Sequence, residues 1–85
     1  MRIVQIEIEA EDGMAVVISR KGNTIEVRNA RRRRNGEYTV LMNVDAGSQE
    51  SIRYAATKLQ KNMDGHEGAQ GDVAGYERVL QMFAD

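Results

Sequence analysis

Hydrophobic and polar residues alternate in four short segments within the first half of the chain. In residues 2–10, a valine and two isoleucines alternate with a glutamine and two glutamates. Alternation with a period of two residues is typical of a β-strand that buries one face. The same alternation in residues 14–20, 24–30 and 37–44 predicts three further strands.

Short connections that contain glycine separate the four segments. A three-residue loop at residues 11–13, with its glycine in the left-handed region, places Ile8 opposite Val16 and keeps the apolar residues on one face. A two-residue turn there would mix the two faces. Two-residue turns are expected at residues 22–23 and at Asn35-Gly36, since Asn-Gly is a strong hairpin signal. The sequence therefore predicts an antiparallel meander.

The periodicity becomes helical after residue 47. Apolar residues spaced three and four apart predict an amphipathic helix over residues 48–63, with Ser48 as its N-cap. A glycine-rich link over 64–71 precedes a second helix over 72–84. We therefore expect residues 1–85 to form one small α+β domain of order ββββαα, in which two C-terminal helices cover one face of a sheet over residues 2–44.

Composition excludes several kinds of chemistry. The 85 residues include no cysteine and one histidine, His66, which we expect to be a plain exposed residue of the link. A chain without cysteine has no thiolate nucleophile, disulfide or cysteine-ligated zinc. No apolar run approaches the roughly 20 residues that a membrane span needs. We expect a cytoplasmic, non-enzymatic protein with no metal or cofactor and no membrane contact.

Charge is unevenly distributed, although 12 basic residues nearly balance 13 acidic ones. Residues 20–34 contain seven basic residues and a single acidic one, Glu26, whereas the rest of the chain is acidic. A basic segment inside an acidic chain can attract polyanions.

Four consecutive arginines, Arg31–Arg34, directly precede the Asn35-Gly36 turn. A two-residue turn would place Arg33 opposite Tyr38, where the ring could stack on the guanidinium group, and Arg31 opposite Val40.

Strand alternation would then direct Arg31 and Arg33 towards the core, where unpaired charged groups do not stay. We therefore expect the hairpin to extend beyond the helix-covered sheet as a two-stranded ribbon. A bulge near Asn29 or Ala30 is an alternative way to turn the arginines outward.

The basic segment suggests that the chain binds nucleic acid or a nucleoprotein complex. Arginine presents forked donors that suit phosphate, and a β-ribbon can enter a DNA groove. If five or six phosphates are neutralised, log affinity falls with log salt with a slope of roughly −4 to −5. The candidate binding residues are Arg31, Arg32, Arg33, Arg34, Arg28, Arg20, Lys21 and Tyr38.

Two alternatives use the same hairpin. In the first, the hairpin is only a solvated surface, neutralised by Glu9, Glu11 and Asp12 at the same end of the meander. In the second, the protein is an inhibitor that binds a protein target. In size and architecture the chain resembles small phage-encoded accessory proteins, including some anti-CRISPR inhibitors, although no motif is shared. A homodimer through an apolar patch of Tyr54, Leu41 and Val17 also stays open.

Overall fold

A computed structural model describes residues 2–65 and 71–85 of the chain. Four strands precede two helices, in the ββββαα order that the sequence predicts. The strands form one antiparallel sheet in the order β1-β2-β3-β4. The elements are β1 (Gln5–Glu9), β2 (Ala15–Lys21), β3 (Thr24–Arg32), β4 (Tyr38–Asp45), α1 (Gln49–Asp64) and α2 (Val73–Gln81).

The first hairpin has the predicted register. Ile8 lies opposite Val16, so the apolar residues of β1 and β2 share one face of the sheet. The backbone N–H of Gly13 donates to the carbonyl oxygen of Ala10 over 3.0 Å, and Gly13 has a φ of 89°. The expected three-residue loop with a left-handed glycine is therefore confirmed.

The third hairpin differs from the prediction, because the two-residue turn at Asn35-Gly36 is wrong. The N–H of Gly36 donates to the carbonyl of Arg33 over 2.9 Å, and the N–H of Arg33 donates to the carbonyl of Glu37 over 2.7 Å. Gly36 has a φ of 84°, and no described residue other than glycine has a positive φ. This hairpin has the three-residue loop geometry of the first one, so Arg33 faces Glu37 and not Tyr38.

The pairing of β3 with β4 contains two irregularities. Val27 lies opposite Met42 and the next residue, Arg28, lies opposite Val40, so β4 has one extra residue here. The following pair joins Arg32 to Tyr38, so β3 has two extra residues between Arg28 and Arg32. The bulge expected near Asn29 or Ala30 is confirmed, whereas the pairing of Arg31 with Val40 is wrong.

One face of the sheet packs against the helices to form the core. The predicted Ser48 cap is confirmed, since its hydroxyl accepts from the N–H of Ser51, and the Asp72 carboxylate caps α2 by accepting from the N–H of Gly75. No helix in the described part of the chain is long and apolar enough to cross a membrane. The largest fully buried side chains are those of Ile18, Ile25, Ile52, Leu59, Met63, Leu80, Val16 and Val27.

No helix among the described residues covers the other face of the sheet, yet Val17 is buried there. Val17 is only 2% exposed and lies between its cross-strand neighbours Glu7 and Arg28. The expected apolar patch of Tyr54, Leu41 and Val17 is therefore wrong, because Val17 is buried and Leu41 is half-buried against the core, which leaves Tyr54 exposed. Long polar side chains on neighbouring strands can cover an apolar residue with their aliphatic parts.

The close contact between Gly71 and Tyr76 at the start of α2 predicts that a larger residue at position 71 lowers stability. A Cβ atom on Gly71 would overlap the ring of Tyr76, which is buried in the core, so Gly71→Ala should displace that ring. We expect a loss of about 1–3 kcal/mol in the free energy of unfolding, the usual cost of overpacking. Urea denaturation followed by circular dichroism measures it.

The matched control for this prediction is Gly65→Ala, because a Cβ atom there meets no other atom within 4 Å. Its φ of −76° is also accessible to alanine. We expect this variant to be neutral or slightly stabilised. Equal stability of the two variants would contradict the role assigned to the contact between Gly71 and Tyr76.

Candidate functional site

The end of the β3–β4 hairpin forms the candidate site. The last pair between β2 and β3 joins Val16 to Asn29, whereas β3 continues to Arg32. The hairpin therefore projects beyond β2 as the expected two-stranded ribbon. Residues 31–34 are all exposed. We call this region the arginine tip, defined as Arg28, Arg31, Arg32, Arg33, Arg34 and Tyr38.

Tyr38 holds two of the arginines in the tip. The guanidinium carbon of Arg28 lies 3.8 Å from the centre of the Tyr38 ring, and that of Arg32 lies 5.1 Å from it. The Nε–H of Arg32 also donates to the Tyr38 hydroxyl over 3.1 Å. The expected stacking of Tyr38 on Arg33 is wrong, because the bulge brings Arg28 and Arg32 to the ring instead.

Arg28 differs from the other arginines of the tip because its side chain is only 17% exposed. One terminal N–H donates to the carbonyl of Asn29 over 3.1 Å, and Nε lies 3.9 Å from a carboxylate oxygen of Glu26. Arg28 therefore supports the tip from the outer face of the sheet, and the exposed arginines extend beyond it.

The contact between Arg32 and Tyr38 changes the acidity of both groups. The hydrogen bond to Tyr38 raises the pKa of Arg32, and the same bond lowers the pKa of Tyr38. Both shifts favour the charged form, as expected when a cation donates to a phenol oxygen.

Arg31 extends in the opposite direction, towards the β1–β2 loop. Its Nη2 atom lies 3.3 Å from the position that a Cβ atom on Gly13 would occupy. The same loop carries Glu11 and Asp12, which are both exposed. The acidic residues expected near the arginines are therefore at the same end of the sheet, on the side of the tip that faces β1.

The structure separates Arg20 and Lys21 from the tip, because they lie at the far end of β2. That end is about 23 Å from Gly13 at roughly 3.3 Å per strand residue. Arg20 donates to the carbonyls of Gly22 and Phe83, each over 2.7 Å, and to the Asp85 carboxylate over 2.6 Å. These bonds tie the C-terminal residues to the sheet, a structural task that the charge pattern did not indicate.

Sequence reasoning also missed the part that Asn35 plays in the tip. Its side-chain oxygen accepts from the N–H of Glu37 over 3.0 Å, and its side-chain nitrogen donates to the Glu37 carboxylate over 3.4 Å. An asparagine that bonds the backbone two residues later is a known turn former. The asparagine before Gly36 is visible in the sequence, but it suits a two-residue turn as well as the three-residue loop that the structure has.

The other candidate sites in the described part of the chain are two grooves, and no metal-binding cluster accompanies them. A groove of about 600 Å³ lies between residues 2–4 and the C-terminal residues 82–84, and one of about 330 Å³ lies between β4 and α1. Within residues 2–65 and 71–85, no group of three or more histidine, cysteine or acidic side chains could hold a metal ion. His66 lies outside the described residues.

No protein family, curated protein or solved structure matches the chain. The resemblance to phage-encoded inhibitors therefore rests on size and architecture alone. Any function therefore has to be argued from the residues of this chain. The arginine tip brings five arginines and one tyrosine together at one end of the sheet.

The role of Arg20 can be separated from binding by substitution. Arg20→Gln removes the charged bonds to Phe83 and Asp85, so we expect a loss of about 1 kcal/mol in the free energy of unfolding, reduced by partial exposure. Lys21→Gln is the control, since Lys21 is exposed and should not affect stability. Thermal unfolding of both variants tests this, and equal melting temperatures would contradict the structural role of Arg20.

The lowered pKa of Tyr38 provides a test of the tip in solution. Because the bond from Arg32 stabilises the tyrosinate, Arg32→Gln should raise the pKa of Tyr38 towards the ordinary value of about 10. The ring-carbon chemical shift of Tyr38 in an NMR pH titration measures this change. Arg34→Gln is the control and should leave the pKa unchanged. An identical Tyr38 titration in all three proteins would mean that the contact does not persist in solution.

Proposed function

We propose that the chain is a non-enzymatic binding protein whose arginine tip engages the phosphate backbone of nucleic acid, free or within a nucleoprotein complex. The observation that carries the proposal is the cluster of exposed arginines on a projecting ribbon, with one of them held against Tyr38. Guanidinium groups match phosphate oxygens with two parallel hydrogen bonds.

Preorganisation of the tip supports this proposal. A free arginine side chain loses up to about 2 kcal/mol of conformational entropy when it is immobilised. The packing of Arg28 and Arg32 against Tyr38 restricts both side chains before any ligand arrives. Binding then costs less entropy than it would for two freely moving arginines.

The net charge of −1 does not oppose the proposal. Salt screens charges beyond a Debye length of about 8 Å at physiological ionic strength. A phosphate at the projecting loop therefore interacts chiefly with Arg31–Arg34 and with the few acidic residues beside them, Glu11, Asp12 and Glu37, and much less with acidic residues on α1 or α2. A cytoplasmic location, where nucleic acid is available, is part of this proposal.

A second candidate function is inhibition of a protein target through the β4 edge of the sheet. β4 pairs on one side only, and it has no charged residue from Tyr38 to Val44. An edge strand without charges can add a strand from a partner, including a second copy of the chain. This candidate predicts capture of a protein partner together with weak or no binding to bare nucleic acid.

Removal of two exposed arginines tests the proposed function. With up to four phosphates bound by the four exposed arginines of the tip, log affinity should fall with log salt with a slope of about −3 to −4. Arg33→Gln/Arg34→Gln should weaken binding and reduce this slope by about 2, because each lost phosphate contact removes about 1. Fluorescence anisotropy with labelled DNA and RNA at several salt concentrations measures both quantities.

The matched control is Lys21→Gln/Arg53→Gln, which removes the same charge from exposed positions outside the tip. This control should keep the slope and affinity of the unmodified protein. If single- and double-stranded DNA and RNA all fail to bind at low salt, the proposed function is wrong.

A further inference from the structure

The position of the aromatic side chains bears on which form of nucleic acid the tip can bind. Proteins that bind single strands stack bases on exposed aromatic rings. The chain has three tyrosines and one phenylalanine, of which Tyr76 and Phe83 are buried in the core. Tyr54 lies on α1, beside the groove along the C-terminal half of β4. Tyr38 is thus the one aromatic residue of the tip.

The ring of Tyr38 is already engaged by the protein itself. Arg28 lies over the ring at 3.8 Å, and Arg32 lies beside it and donates to its hydroxyl group. A base could stack on the face that Arg28 covers only by displacing its guanidinium group. The exposed guanidinium group of Arg32 lies at the ring, where it can bind a phosphate, and the face of the ring that Arg28 covers is closed to a base.

The shape of the tip adds a second observation. The projecting part is a ribbon of two strands, about 4.8 Å apart, and its width fits the B-DNA major groove of about 12 Å. The deep and narrow major groove of A-form RNA does not admit such a ribbon.

The neighbouring residues Arg31 and Arg32 extend in opposite directions, towards Gly13 and towards Tyr38. Arginines on both sides of a ribbon can reach phosphates on both walls of a groove. A single strand presents only one line of phosphates to such a tip.

We propose that the arginine tip binds duplex DNA in preference to single strands and to duplex RNA. In this arrangement Tyr38 is a positioning residue that packs on Arg28, holds Arg32 for phosphate and does not stack on a base. The inference rests on the proposed function, because it specifies the ligand of the same site.

The first experiment compares one sequence as duplex DNA, single-stranded DNA and duplex RNA of equal length, by fluorescence anisotropy at one low salt concentration. We expect duplex DNA to bind roughly tenfold more tightly than the single strand, since phosphate density is higher in the duplex. Equal or tighter binding of the single strand or of duplex RNA would overturn the duplex inference and leave the proposed function standing. Failure of all three ligands to bind would overturn the duplex inference, and failure of single-stranded RNA as well would overturn the proposed function.

The second experiment uses two variants of Tyr38, an exposed residue whose replacement leaves the core intact. Tyr38→Phe keeps the ring under Arg28 and loses only the bond from Arg32, whereas Tyr38→Leu removes the ring. If Tyr38 positions Arg32, Tyr38→Leu should weaken duplex binding and lower the salt slope by up to about 1, and Tyr38→Phe should restore part of both.

A base-stacking role for Tyr38 gives the opposite result. Tyr38→Leu would then lower single-strand affinity by roughly 5- to 100-fold at an unchanged salt slope, and Tyr38→Phe would behave like the unmodified protein. That outcome would overturn the positioning role. Circular dichroism of each variant checks that the fold is retained.

Discussion

Four consecutive arginines cannot continue a strand whose inner face is buried, and the shape of the β3–β4 hairpin follows from this constraint. β3 is regular and apolar on its inner face as far as Val27. A regular register beyond this point would direct guanidinium groups into the core, where each would lose its hydration without a partner. The extra residues between Arg28 and Arg32, together with the projection beyond β2, avoid that cost. The shape of the candidate site is therefore a consequence of keeping charge out of the core.

The parts of the fold that could be predicted from sequence are those in which one local signal decides the structure. The register of β1 with β2 follows from matching apolar faces, because a shift of one residue would expose Ile6 and Ile8. The β3–β4 register could not be predicted, since Asn35-Gly36 suits both a two-residue turn and a three-residue loop. The bulge near Asn29 or Ala30 could be expected from the charge of the arginines, but their run has no alternation that gives the number of extra residues in it. The burial of Val17 depends on neighbours from two other strands, which the local sequence does not specify.

Basic residues that look equivalent in the sequence have different roles in the structure. The groups that each side chain contacts determine its role. The guanidinium N–H groups of Arg20 donate to two backbone carbonyls and to the Asp85 carboxylate, so few remain to bind a ligand. Arg28 is half-buried between Glu26 and the ring of Tyr38. Charge density along the chain therefore located the candidate region but overestimated the number of residues that can bind together.

The acidic β1–β2 loop limits the direction from which a polyanion can approach the tip. Glu11 lies in the loop that Arg31 reaches, so a phosphate on that side meets negative charge together with the arginine. β4, on the other side, has no charged residue from Tyr38 to Val44 and does not repel a phosphate backbone. Coulomb repulsion at short range thus makes the phosphate contacts on the β4 side, where Arg32 and Tyr38 already face outward, stronger than the contact of Arg31 on the other side of the ribbon. The absence of charged residues from this part of β4 therefore favours binding on that side of the tip, because the β1–β2 loop on the other side is acidic.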